Sequence, residues 1–247
     1  MHPVALFSLS LLSFASAASI SEGDAEFAKI NYPGAVSKYD TGLQDSPANP
    51  DLLWRMARVH VCMGDVAEKD RRENLYRQAE QYARQCVAAA ETLSEGHTWL
   101  AAALGNIAMF EGSETKVKLC NEIKRELDRA VVLNPNNDVA YSILGSFYRA
   151  LGNVSWLERQ LANVFLGSLP SGGFEESETA LKKAISLAPH TMRHYFELGM
   201  LYYQWDKPDE ARKAFTLAKE QPVLLASDRR KLSRIEEMLS RLDEDAR

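Results

Sequence analysis

Glycine and proline are scarce in this chain, 13 and 9 among 247 residues. Runs of β-branched residues are also few, so little in the sequence reads as strand. Alanine, leucine, glutamate, lysine and arginine dominate, and these favour helix throughout. There are only three cysteines, Cys62, Cys86 and Cys120. Their number is odd, none are spaced C-x-x-C and no histidine cluster accompanies them, which excludes a disulfide framework. All three fall inside helical patterns, where a free thiol behaves as a small buried hydrophobe. No charge sign dominates: the formal net charge is −5, which excludes nucleic-acid coating by bulk electrostatics. With 46% apolar and 26% charged residues, the composition is that of an ordinary globular chain.

One long apolar run stands out, Val4 to Phe14, followed by Ala15-Ser16-Ala17. The A-x-A pattern gives residues 1–18 the form of a secretory signal, although no lysine or arginine precedes the run. The run is short for a bilayer span. A cleaved signal, an uncleaved anchor and an organelle-targeting segment are the readings it leaves open.

What the remainder does contain is a repeat. In YFELGMLYYQWDKPDEARKAFTLAKEQP, Tyr195, Leu198, Gly199 and Tyr202 are followed by Ala211, Phe215 and Ala218. This is the tetratricopeptide pattern, with its period of about 34 residues. Two antiparallel helices approach closely where one presents a small residue and the other a large one. The frame recurs at Tyr141, Leu144, Gly145 and Tyr148, with EESETALKKAISLAP as the matching second helix. It recurs again at Trp99, Ala102 and Ala103 with Leu127 and Ala130, and at Leu53, Met56, Ala57 and Gly64 with Ala79, Ala83 and Cys86. Ala35, Tyr39, Gly42 and Pro47 read as the second helix of a partial N-terminal repeat. The small residues of the second helices are Gly42, Cys86, Ala130, Ala184 and Ala218. Only the last interval has the standard length; the others carry about ten or twenty extra residues.

The predicted fold is therefore all-α: a tetratricopeptide-like solenoid of helical hairpins in residues 19–247, with about four to five units. Its C-terminal capping helix spans 227–243, N-capped by Ser227, with Leu232, Ile235, Met238, Leu239 and Leu242 on one stripe. An insert at 153–173 interrupts one unit. It reads as an amphipathic helix whose apolar face comprises Trp156, Leu157, Leu161, Val164 and Phe165, ended by Leu169-Pro170-Ser171-Gly172-Gly173. That face is expected to pack as core, with a membrane surface or partner groove as the functional alternative. Asn153-Val154-Ser155 is a glycosylation sequon, though Ser155 is read first as the N-cap of the inserted helix.

DLLWRMARV (51–59), HTWLAAALGNIAMFEG (97–112), IKRELDRAVVLNPNN (123–137) and SWLERQLANVFLGSLPSGGFEESETAL (155–181) together resemble the regulator of microtubule dynamics family. The resemblance covers roughly residues 24–245 and implies a tetratricopeptide-like fold that includes this inserted tryptophan-bearing helix. It implies association with microtubules and spindle poles for some members. For others it implies a role at mitochondrial or endoplasmic-reticulum membranes, including lipid handling. It brings no catalytic residues.

Chemistry-bearing constellations are few. His190 and His194 have the i, i+4 spacing of helical metal ligands but lack a third ligand nearby in sequence. No P-loop, G-x-S-x-G or G-x-G-x-x-G occurs, and no cofactor is implied. Trp54, Arg58, Arg149, Arg193, Phe196 and Tyr203 occupy first-helix positions expected to face the groove. Arginine pairs bidentately with carboxylates and phosphates, so an acidic extended ligand suits them; pairing with the protein's own carboxylates is the competing reading. Lys118, Arg125 and Arg129 share a face of another helix, interspersed with acidic residues. The expected function is a non-enzymatic adaptor that binds microtubules or microtubule-associated proteins, without nucleic acid, in the cytoplasm or on the cytoskeleton. The alternatives are a lipid- or membrane-contact protein and a secreted scaffold.

Overall fold

The structure, a computed structural model, describes residues 4–155, 158–160, 162 and 167–245. Every regular element among them is helical. In chain order these are α1 (Val4–Ala28), α2 (Tyr32–Asp45), α3 (Pro50–Val66), α4 (Lys69–Ala89) and α5 (Ser94–Ile107). They continue as α6 (Ser113–Leu133), α7 (Asp138–Gly152), α8 (Phe174–Leu187), α9 (Met192–Gln204), α10 (Pro208–Lys219) and α11 (Ala226–Asp245). The all-α tetratricopeptide-like reading is correct.

Helix starts follow from local chemistry. Asn31, Asn49 and Asn137 each turn a side-chain oxygen to a free backbone N–H of the first turn, those of Gly34 (3.2 Å), Asp51 (3.0 Å) and Ala140 (2.9 Å). Such a cap satisfies one of the four donors that an α-helix leaves open. Pro33, Pro50 and Pro208 stand in the first turns of α2, α3 and α10, where no N–H is needed.

Residues 1–103 and 104–247 form two compact units. In the first, α1 pairs with α2 and α3 with α4, and α2 and α1 both pack on α3. Its core holds Tyr39, Leu52, Leu53, Met56, Ala57, Ala79, Ala83 and Cys86. The partial N-terminal repeat of the sequence reading is thus a whole hairpin, with α1 as its first helix. α1 runs through Ala15–Ala18 without a break, and the buried Ser16 hydroxyl donates to Ser46 Oγ at 3.2 Å. The targeting-like composition of 1–18 had masked that helix. Among the described residues no helix is long and apolar enough to cross a membrane.

In the second unit, α7 pairs with α8 and α9 with α10; α8 and α7 pack on α9, and α11 closes against α10 and α9. Leu181, Met192, Leu201, Phe215, Ile235 and Met238 form its buried centre. The closing helix begins just ahead of its predicted cap. Asp228, rather than Ser227, accepts the backbone N–H groups of Leu224 (3.0 Å) and Leu225 (2.9 Å). Ser227 Oγ instead accepts Lys231 Nζ at 3.0 Å.

The predicted insert face of Trp156, Leu157, Leu161, Val164 and Phe165 lies outside the described residues. Around it, Ser155 and Glu158 cap reciprocally: Glu158 N donates to Ser155 Oγ (3.3 Å) and Ser155 N to Glu158 Oε2 (2.9 Å). Arg159 bridges the carbonyls of Leu151 (3.1 Å) and Pro170 (3.0 Å). Asn121 of α6 donates to Ser168 O at 2.9 Å. Side-chain-to-carbonyl bonds therefore anchor the loop to the helices beside it.

The hairpins close on glycine. A Cβ placed on Gly64 would lie 2.5 Å from Tyr76 Cε1, and one on Gly199 would lie 2.6 Å from Phe215 Cδ1. Gly105, on α5, has nothing within 4 Å of that position. Gly199→Ala is expected to cost about 1–3 kcal/mol by overpacking. Gly105→Ala should instead stabilise by about 0.5–1 kcal/mol through helix propensity. Urea unfolding of the two variants beside the parent measures both signs.

Candidate functional site

Two polar clusters join first helices of neighbouring hairpins, one within each unit. In the first unit, Asp24 of α1 receives Arg55 Nε (2.9 Å to Oδ2), Arg58 Nη2 (2.8 Å) and the Tyr39 hydroxyl (2.7 Å), both to Oδ1. Arg58 Nη2 also donates to Tyr39 Oη at 3.1 Å. Both guanidiniums lie over aromatic faces: Arg55 is 4.2 Å from the Trp54 ring centre, and Arg58 is 3.9 Å from Phe27 and 5.0 Å from Trp54. Such stacking leaves the planar fork free for the carboxylate. Burial pushes the Asp24 carboxyl up, but the Tyr39 hydroxyl and the charges of Arg55 and Arg58 outweigh it and hold the group below the usual range. Burial, then the hydrogen bond to Asp24, pushes the Tyr39 phenol up to about 12.

In the second unit, Arg149 of α7 donates from Nη2 to Glu197 Oε2 of α9 at 2.8 Å and from Nη1 to Gln204 Oε1 at 2.9 Å. The Asn153 side-chain amide also reaches Gln204 Oε1, and the Arg149 carbonyl, each at 2.8 Å. This is the sequon asparagine, exposed on the turn after α7. Burial raises the Glu197 carboxyl, but the charges of Arg149 and Arg193 and the Arg149 hydrogen bond reverse the sign and hold it below its ordinary value. Phe196 meets Phe215 at 6.2 Å between ring centres, and it and Tyr203 pack partly against the core of the unit.

The structure thus brings Trp54 and Arg58 together in one unit, and Arg149, Arg193, Phe196 and Tyr203 onto two neighbouring helices in the other. Arg58 and Arg149 are occupied by the protein's own carboxylates. Sequence reasoning missed those partners, Asp24 and Glu197, because they lie 34 and 48 residues away from the arginines. No helical spacing rule reaches so far. It also missed Lys207, whose ammonium stands 3.2 Å from the Trp205 ring centre.

Of the histidine pair, His194 is buried and donates from Nε2 to Asp138 Oδ2 at 2.9 Å, a link between α7 and α9. His190 is exposed in the turn before α9. Among the described residues no group of three or more histidine, cysteine or acidic residues is placed to hold a metal ion. On α6, Lys118 pairs with Glu114 (2.7 Å), Lys124 with Asp128 (2.6 Å) and Arg125 with Glu126 (3.1 Å). That face is therefore largely self-neutralised.

The Arg149–Glu197 pair has side chains only 19% and 13% exposed. Removing one partner of such a pair strands the other, so Arg149→Met should cost about 2–4 kcal/mol. Because the folded carboxyl titrates below the ordinary glutamate value of 4.5, its contribution is fully present above that pH and disappears as pH falls through the lower folded value. Glu197→Gln should flatten the acid limb of the stability–pH profile in that window and leave its alkaline limb unchanged, as measured by chemical denaturation at a series of pH values.

Comparison with known proteins places these clusters in a wider frame. The chain is 25% identical over 194 residues to the Mus musculus protein named Regulator of microtubule dynamics protein 2, covering 78% of this chain and 47% of that one. It is 25% identical over 182 residues to Mus musculus Regulator of microtubule dynamics protein 1, covering 72% and 60%. The chain therefore spans about half the length of the curated relatives it matches. Among solved structures, a thermophilic tetratricopeptide protein of Thermus thermophilus superposes with a TM-score of 0.68 at 21% identity, over 91% of this chain and 98% of that one, a likeness of fold. The family model for Regulator of microtubule dynamics protein 1-3 matches residues 18–243, and this chain belongs to that family.

Proposed function

We propose that the protein is a non-enzymatic adaptor that binds microtubules or microtubule-associated proteins through the surface of its helical repeats, acting at the cytoskeleton. The observation that carries this reading is the extent of the family match. It begins at residue 18 and ends at 243, and so takes in the helical hairpins and little else. What this chain shares with relatives named as regulators of microtubule dynamics is thus the repeat domain, and a shared role falls to its surface. Tetratricopeptide-type repeats work by presenting such surfaces to extended ligands.

Within that surface the candidate contacts are unequal. Arg58 and Arg149 are committed to Asp24 and Glu197. Trp54 and Arg193 are half-buried, and Arg193 acts on Glu197 through its charge. Arg193 therefore has the more accessible chemistry for an acidic, extended partner, a guanidinium fork, whereas the Trp54 ring already carries Arg55 and Arg58.

The full chain is expected to co-sediment with polymerised tubulin at low ionic strength and to release as salt rises, since exposed charge pairs are screened within about 10 Å at 0.1 M. Arg193→Ala should weaken pelleting while the melting temperature stays near that of the parent. Absence of pelleting at low salt, both alone and in the presence of a cell extract's microtubule-associated fraction, would reject the reading.

A further inference from the structure

A cavity of about 490 Å³ lies in the first unit, walled by α2, α3 and the first half of α4. Its size falls within the roughly 300–1,000 Å³ typical of small-molecule sites. The Met63 and Leu75 side chains give it an apolar wall, and His60, Asp70, Arg71 and Asn74 bring polar groups. The His60 ring also meets Tyr82 of α4, with ring centres 5.3 Å apart.

His60 fixes the chemistry of the inner wall. The residue is only 8% exposed, and Nδ1 lies 2.7 Å from the Met56 carbonyl. A carbonyl accepts only, so Nδ1 carries the hydrogen, and in the neutral ring Nε2 is then an acceptor. Burial lowers the pKa of the ring and so favours the neutral form. Among the described residues Nε2 has no hydrogen-bond partner, and it is not among the fully enclosed polar atoms left without one. A ligand offering an N–H or O–H at that point would satisfy it. At the mouth, Asp70 and Arg71 present opposite charges from adjacent positions of the first turns of α4, both exposed. Both line the cavity, so one carboxylate and one guanidinium are available to an ammonium and a carboxylate carried by the same molecule.

We infer that this cavity binds a small zwitterion with an apolar ring that bears a hydrogen-bond donor, the chemistry of an aromatic amino acid. The ring lies against Met63 and Leu75, its donor meets His60 Nε2, and the α-carboxylate and α-ammonium pair with Arg71 and Asp70. Nothing in this assignment depends on contact with microtubules.

The probe is L-tryptophan, titrated into the full chain and followed by the amide and imidazole resonances of His60 and Leu75. Saturable shifts at millimolar ligand are expected. 1-Methyl-L-tryptophan, which lacks the ring N–H, should bind about tenfold more weakly, the effect of about 1.4 kcal/mol for one lost hydrogen bond to a buried acceptor. Tryptamine and indole-3-propionate, each missing one charge, should weaken similarly. In His60→Phe the preference for the ring N–H should vanish. In Arg71→Gln, a change on the exposed rim that leaves the fold intact, the preference of L-tryptophan over tryptamine should vanish. An absence of saturable shifts in the parent protein overturns the assignment. So does equal affinity for L-tryptophan and its 1-methyl derivative, or an Arg71→Gln variant that still discriminates against tryptamine.

Discussion

The fold depends on close approach between paired helices, achieved in the α3–α4, α7–α8 and α9–α10 hairpins by setting a glycine against a large side chain. Gly64 lies under Tyr76, Gly145 under Leu181 and Gly199 under Phe215, each leaving less than 3 Å for any Cβ. Aromatic and leucine side chains fill the space that the missing Cβ leaves, so the hairpin gains area buried from water without opening a cavity. Tyr76 also keeps a polar end, its hydroxyl donating to Asp65 Oδ1 at 3.1 Å. Once the hairpin spacing is set in this way, the second-helix positions that face inward must be small. Cys86, Ala130, Ala184 and Ala218 are accordingly all fully buried. The thiol at position 86 is one of these packing residues: burial pushes its pKa to about 12 and removes it from thiolate chemistry.

Within each unit, polar side chains join one hairpin to the next. The Asp24 cluster bridges α1 and α3, while Arg149–Glu197 and Asp138–His194 bridge α7 and α9. Apolar packing sets the spacing of neighbouring helices through ridges and grooves but supplies no directional bond. A guanidinium held by a carboxylate and backed by an aromatic face fixes both distance and orientation. Arg58 illustrates the cost: its Nε is buried with no partner, as is Arg149 Nε. Each is an uncompensated donor that the rest of the network must outweigh.

These two kinds of contact differ in how far they can be read from sequence. Gly199, Ala211, Phe215 and Ala218 declare themselves because the small–large rule repeats with a fixed period, whereas the caps by Asn31, Asn49 and Asn137 went unread although their chemistry is local. Helix α1 was obscured because its first residues, apolar and ending in Ala15-Ser16-Ala17, fit a targeting segment equally well. The Asp24 and Glu197 pairings had no signature at all. A carboxylate 34 residues from its arginine is brought near only by the turn of a whole hairpin, and many other carboxylates in the chain have equal standing by composition. The free Nε2 of His60 was invisible for the same reason: the Met56 carbonyl that sets its tautomer is four residues away on the same helix, but the cavity that exposes it requires α2 and α4.

These contacts also narrow how such a surface can select partners. Arginines in a repeat groove suggest recognition of acidic ligands when counted by position, yet those with the best geometry for a carboxylate are the ones already holding one. Arg58 and Arg149 instead tie α3 and α7 to the neighbouring hairpins, through Asp24 of α1 and Glu197 of α9.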